Sequence, residues 1–106
     1  MPKYLVSYHG GGGMPSDPEA AQQAMQAFQA WAAGVGGALV DPGAPLAQAK
    51  TVSADAVTDG QAAAAIGGYT LLEADDLDKA VGLVQSHPFL TRGGSLQVSE
   101  AVDLGT

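Results

Sequence analysis

The 106 residues contain no cysteine, which excludes a disulfide framework, a thiolate nucleophile and a Cys-ligated zinc. Basic residues are scarce as well. Four Lys and Arg stand against eleven Asp and Glu, for a net charge of −7. Lys3, Lys50, Lys79 and Arg92 are scattered along the chain. Nucleic acid and anionic membrane surfaces need clustered cations, so neither is an expected partner. No apolar run approaches the roughly 20 residues needed to span a bilayer. Met1-Pro2-Lys3-Tyr4 opens straight into a strand pattern without a leader before it, so a cytoplasmic domain is the expectation. Hydrophobic residues make up 46 % and charged residues 14 %, a balance suited to one modest core and unlike a disordered acidic tail. We read residues 1–106 as a single domain.

The strand and helix signals alternate along the chain. Lys3 to His9 is short, β-branched and aromatic, with Tyr4, Val6 and Tyr8 on one face and Leu5, Ser7 and His9 on the other. Gly10 to Gly13 stop it. Ser16-Asp17-Pro18-Glu19 starts a helix, through either a Ser16 capping box or an Asp17 cap with Pro18 at the first helical position. Ala21, Ala24, Met25, Phe28, Trp31, Ala32 and Val35 then form one apolar stripe. Asp41-Pro42-Gly43 has turn chemistry, and Thr51 to Thr58 alternates as a half-buried strand expected to pair with Leu39 to Leu46. Asp75 or Asp76 caps a second helix bearing Leu77, Ala80, Val81 and Val84, with His87-Pro88 at its end. These signals predict helices over 17–35 and 75–87, and strands over 3–9, 38–46, 51–58, 68–74 and 95–103. The economical packing is an α+β, ferredoxin-like βαββαβ sandwich with an extra hairpin strand, its helices on one side of the sheet. Tyr4-Leu5-Val6 and Leu71-Leu72 are apolar on both faces, yet two helices cover one face only. A second copy packed sheet to sheet supplies the missing layer.

KYLVSYHGGGGMP at the start, KTVSADAVTDG in the middle, GGYTLLEADDLDKAV and the terminal HPFLTRGGSLQVSEAVDL resemble the YCII-related family over nearly the whole chain. The resemblance implies a dimeric α+β barrel, built from two ferredoxin-like subunits. It also implies either acid/base chemistry on small molecules or, for relatives associated with sigma factors, a non-catalytic regulatory module. The branch with a proposed His–Asp pair carries the His inside the first helix and the Asp just after it. Here Glu19 to Ala33 contains no His and Gly34 to Leu39 no Asp, so that pair transfers to no residue of this chain.

The candidate chemistry starts from His9, at the end of the first strand beside the glycine run. With Tyr69 to Glu73 as a parallel neighbour, Glu73 would orient its ring, making His9 and Glu73 a catalytic pair. Ser7 shares the His9 face, and Trp31 and Phe28 would form an apolar wall if that face lies between sheet and helices. Gly11 and Gly12 would rim the pocket, whose expected ligand is a small apolar molecule with a polar group. Enzyme and binding module stand level. Gly10 to Gly13 lack the Gly-Lys-Ser/Thr ending of a phosphate loop, and Ser7 lacks the glycine-flanked elbow of a hydrolase nucleophile. His87 reads as a helix-terminal residue. No ligand spacing suggests a metal, and no cofactor is implied.

Overall fold

The computed structural model describes residues 1–11, 15–61 and 65–105. Its elements are β1 (Lys3–Gly10), α1 (Pro18–Val35), β2 (Leu39–Pro45), β3 (Lys50–Val52), β4 (Val57–Asp59), β5 (Gly68–Glu73), α2 (Leu77–Val84) and β6 (Gly94–Ala101). Short 3₁₀ turns occupy Gly36–Ala38 and Pro88–Arg92. At the start of α1 the Asp17 carboxylate accepts from the Glu19 and Ala20 amides, with Pro18 in the first turn. Of the two caps open from the sequence, Asp17 is the one formed. Asp76 caps α2 by accepting from Lys79 N at 2.8 Å. That helix is shorter than the predicted 75–87, because the chain turns out at Gln85 and re-forms as the 3₁₀ turn behind Pro88.

The four long strands form one antiparallel sheet in the order β2-β5-β1-β6. Val6 and Leu72 from the central strands meet Trp31 of α1 and Val84 of α2 in one buried cluster, so both helices cover the same face. Val6 and Leu72 are fully buried, and each contributes about 2 kcal/mol through the apolar surface it removes from water. Trp31 Nε1 donates to the Leu83 carbonyl at 2.9 Å, tying α1 to α2 across this layer. Met25, expected on the buried stripe, is 54 % exposed, because α1 presents only its Phe28 to Val35 half to the sheet. The molecule is mixed α+β, one layer of helices on one layer of sheet.

Two predictions about the sheet are corrected. Thr51 to Thr58 does not extend it beside Leu39 to Leu46. Lys50–Val52 and Val57–Asp59 pair with each other as a separate two-stranded hairpin, closed by a turn in which Ser53 N donates to Ala56 O at 2.8 Å. The turn chemistry of Asp41-Pro42-Gly43 lies inside β2 as an irregularity in its register against β5, not as a break. Gly43 adopts φ +74 there, and a Cβ would collide with the Tyr69 carbonyl oxygen. The bulge and its prolines suit an edge strand, where a missing amide costs no ladder bond. The extents are 45 × 44 × 19 Å and the radius of gyration is 15.1 Å, against about 13 Å for a compact chain of this length.

Candidate functional site

Strand alternation divides the candidate residues between two layers. Tyr4, Val6 and Tyr8 of β1 point toward the helices, and Ser7 and His9 point the other way. The pocket expected between sheet and helices therefore does not combine His9 and Ser7 with Trp31 and Phe28. Glu73 is separated from His9 as well. β5 runs antiparallel to β1, not parallel, and Glu73 stands opposite Lys3. Six residue steps along β1, about 20 Å, separate His9 from the Lys3 position that Glu73 faces.

On the open face, the His9 ring is held at both nitrogens. A carbonyl oxygen only accepts, so the 2.9 Å contact between Nδ1 and Ala65 O places the ring proton on Nδ1. Nε2 is then an acceptor, and the Ser7 hydroxyl donates to it at 2.9 Å. His9 is half-buried, and Ser7 is 4 % exposed. Ser7 is flanked across the sheet by Tyr69 and Gln97, while Leu5 faces Leu71 one pleat away. Leu5 is 38 % exposed, so this face carries apolar surface in water.

The helix side holds a second imidazole, that of His87. Phe89 N donates to its Nδ1 at 3.0 Å, which leaves the proton on Nε2. Nε2 donates to the Tyr8 hydroxyl at 2.7 Å, Tyr8 donates to Thr70 Oγ1 at 2.7 Å, and Thr70 donates to the Pro42 carbonyl at 2.9 Å. Every polar atom of this relay is satisfied with one consistent direction of donation. Trp31, Phe28 and Tyr8 surround the His87 ring at centroid distances of 4.3, 5.6 and 5.1 Å. The wall expected to face His9 thus packs on His87. Burial first, then the nearby Arg92 cation, lowers the His87 pKa from 6.5 to about 4. Burial also holds the Tyr8 phenol above its ordinary value. This is a neutral structural histidine, pinning the end of α2 to the sheet.

Gly11, predicted at the rim of the pocket, sits against the Phe89 ring, where a Cβ would come within 2.7 Å of Cζ. Gly94 meets the same ring and has no room for a side chain. Gly12 lies outside the described residues. Among the described residues no group of three or more His, Asp or Glu gathers as a metal site, and no helix is long and apolar enough to cross a membrane. No family model matches the chain, and no curated protein matches it either.

The Ser7–His9 contact was legible in principle, because residues i and i+2 of a strand share a face. The Ala65 carbonyl was not, since a backbone acceptor has no residue type to signal it. Tyr8 and Thr70 were missed as partners of His87 because both read as ordinary strand residues.

Proposed function

We propose that the chain is a YCII-related, ferredoxin-like domain that works as a homodimer and moves a proton on a small, largely apolar molecule with a polar group. His9 is the acid/base. The observation that carries this reading is the fixed tautomer of His9: Nδ1–H is committed to Ala65 O, leaving Nε2 as the basic atom on the sheet face turned away from the helices. The strand order β2-β5-β1-β6 supports the ferredoxin-like assignment. Leu5, Tyr69 and Leu71 on that face support sheet-to-sheet pairing, which would remove them from water and leave a narrow site between two sheets about 10 Å apart. Glu73 has no part in this chemistry, given its place at the far end of β1.

Light scattering tests the assembly, with a dimer of the 10.6 kDa chain expected at micromolar concentration and a stable monomer refuting it. A thermal-stabilisation screen with small aromatic acids, phenols and lactones tests the site, since ligand at 100 times its dissociation constant adds about 2.7 kcal/mol. His9→Gln should lower turnover of any substrate so found by roughly 100-fold or more. A ligand that the wild type binds but does not turn over would favour the alternative, a non-catalytic binding or regulatory module. A ligand bound and turned over equally by wild type and His9→Gln would remove His9 from the site.

A further inference from the structure

The absence of a glycine elbow argues against Ser7 only as a hydrolase-type nucleophile, and the strand supplies another geometry. Two residues of extended backbone bring the Ser7 hydroxyl beneath the His9 ring, 2.9 Å from Nε2. A third group, Ala65 O, holds Nδ1 at 2.9 Å. Nucleophile, base and orienting acceptor are thus in line, the arrangement that activates a serine wherever it occurs. The apolar residues Leu5, Tyr69 and Leu71 share the Ser7 face and lie on the same or the adjoining pleat, a surface for a short acyl chain. Gln97, across from Ser7 on β6, offers an amide for a polar group. His87 offers no such site, because its Nε2 is a donor to Tyr8 and its Nδ1 accepts a backbone amide, so neither nitrogen faces a nucleophile as a base.

We propose that Ser7 is a nucleophile activated by His9, and that the sheet face turned away from the helices transfers small apolar acyl groups from aryl esters or thioesters. This deepens the acid/base reading of His9 and rests on it. In the first step Ser7 Oγ attacks the acyl carbonyl carbon, its proton passes to His9 Nε2, and the carbonyl electron pair moves onto oxygen. Collapse re-forms the C=O bond and breaks the bond to the phenol or thiol, which takes the proton from Nε2. Water then attacks the Ser7 ester, gives a proton to Nε2, and the acid is released as Ser7 regains it. The orienting group is a neutral carbonyl and not a carboxylate, so the imidazolium formed in each step gains less stabilisation. That restricts the chemistry to good leaving groups, which depart with little protonation.

The test is rapid mixing of the full chain with para-nitrophenyl butyrate, followed by intact-mass and peptide mapping. The expected result is a burst of about one nitrophenolate per chain and a butyryl ester on Ser7. Ser7→Ala should abolish both while circular dichroism shows the wild-type fold, and Ser7→Cys should restore acylation. His9→Gln should slow acylation by roughly 100-fold or more. An adduct elsewhere, or equal acylation of wild type and His9→Gln, overturns the proposal. No adduct on Ser7, combined with His9-dependent turnover of a substrate from the stabilisation screen, overturns the nucleophile and leaves the acid/base reading standing. Loss of both removes both.

Discussion

Lowering the pH should weaken the fold through His87 before the carboxylates are spent. In the folded chain its imidazole is neutral, with Nδ1 accepting from Phe89 N and Nε2–H donating to Tyr8. A second proton would have to sit on Nδ1, facing a donor, in a ring that is 3 % exposed. The folded pKa of about 4 lies below the ordinary value of 6.5. Above 6.5 neither state carries the proton and the stabilisation is complete. Between 6.5 and about 4 the unfolded chain binds a proton that the folded chain refuses, so stability falls as the pH falls. Below about 4 both states are protonated and this group takes no further toll. The difference corresponds to at most ~3–4 kcal/mol, of which roughly 2 kcal/mol falls between pH 7 and 4.5. That is a large share of the 5–15 kcal/mol typical of a domain's stability, so it should be measurable. The assay is urea unfolding at a series of pH values, followed by the fluorescence of Trp31, the chain's single Trp, whose ring centroid lies 4.3 Å from that of His87. His87→Gln is the reference, since Gln can donate to Tyr8 and accept from Phe89 but does not titrate. Wild type should lose roughly 2 kcal/mol more than the variant between pH 7 and 4.5. Equal losses would refute the reasoning, and a wild type that gained on the variant would reverse its sign.

Three substitutions probe the rest of the frame. Tyr8→Phe strips Thr70 of its donor and His87 of its acceptor, and should cost about 2 kcal/mol in urea unfolding; a neutral result would mean that water replaces the hydroxyl. Gly82→Ala fills open space on the exposed side of α2, and should add about 0.5–1 kcal/mol, raising Tm by about 4 °C. Gly43→Ala forces a side chain into the Tyr69 carbonyl at φ +74, and should cost at least ~3 kcal/mol; calorimetry showing a loss below ~1 kcal/mol would mean the β2 bulge can slide.

The helix starts, the strand parity of β1 and the layering of helices on one face were legible because each is written in local chemistry: Asp17-Pro18 and Asp76 as caps, alternating residues in Lys3 to His9. Strand direction is not local. The chain reverses between β2 and β5, and that reversal sends Glu73 to the Lys3 end of β1, where a parallel assumption had set it beside His9. Thr51 to Thr58 alternates as a sheet strand should, but alternation does not name a partner, and the segment folds back on itself. The sequence places His87 at the terminus of α2, but that helix stops at Val84 and His87 caps the 3₁₀ turn that Pro88 begins. Its decisive partner, Tyr8, lies 79 residues away and gives no sign of it.

The relay from His87 through Tyr8 and Thr70 to Pro42 draws on four segments of chain, separated by up to 79 residues. No fragment ending before residue 87 can complete it, so a growing or refolding chain carries Tyr8 and Thr70 without their full set of partners until β5 and the α2 terminus arrive together. The polar circuit is therefore complete only when all four segments are in place. Non-local closure of this kind slows folding toward the millisecond-to-second range of sheet proteins and makes partial structures poor in free energy, since each holds a desolvated hydroxyl with nowhere to bond. The same circuit thus underlies both the acid sensitivity of the folded state and the non-local closure that its folding requires.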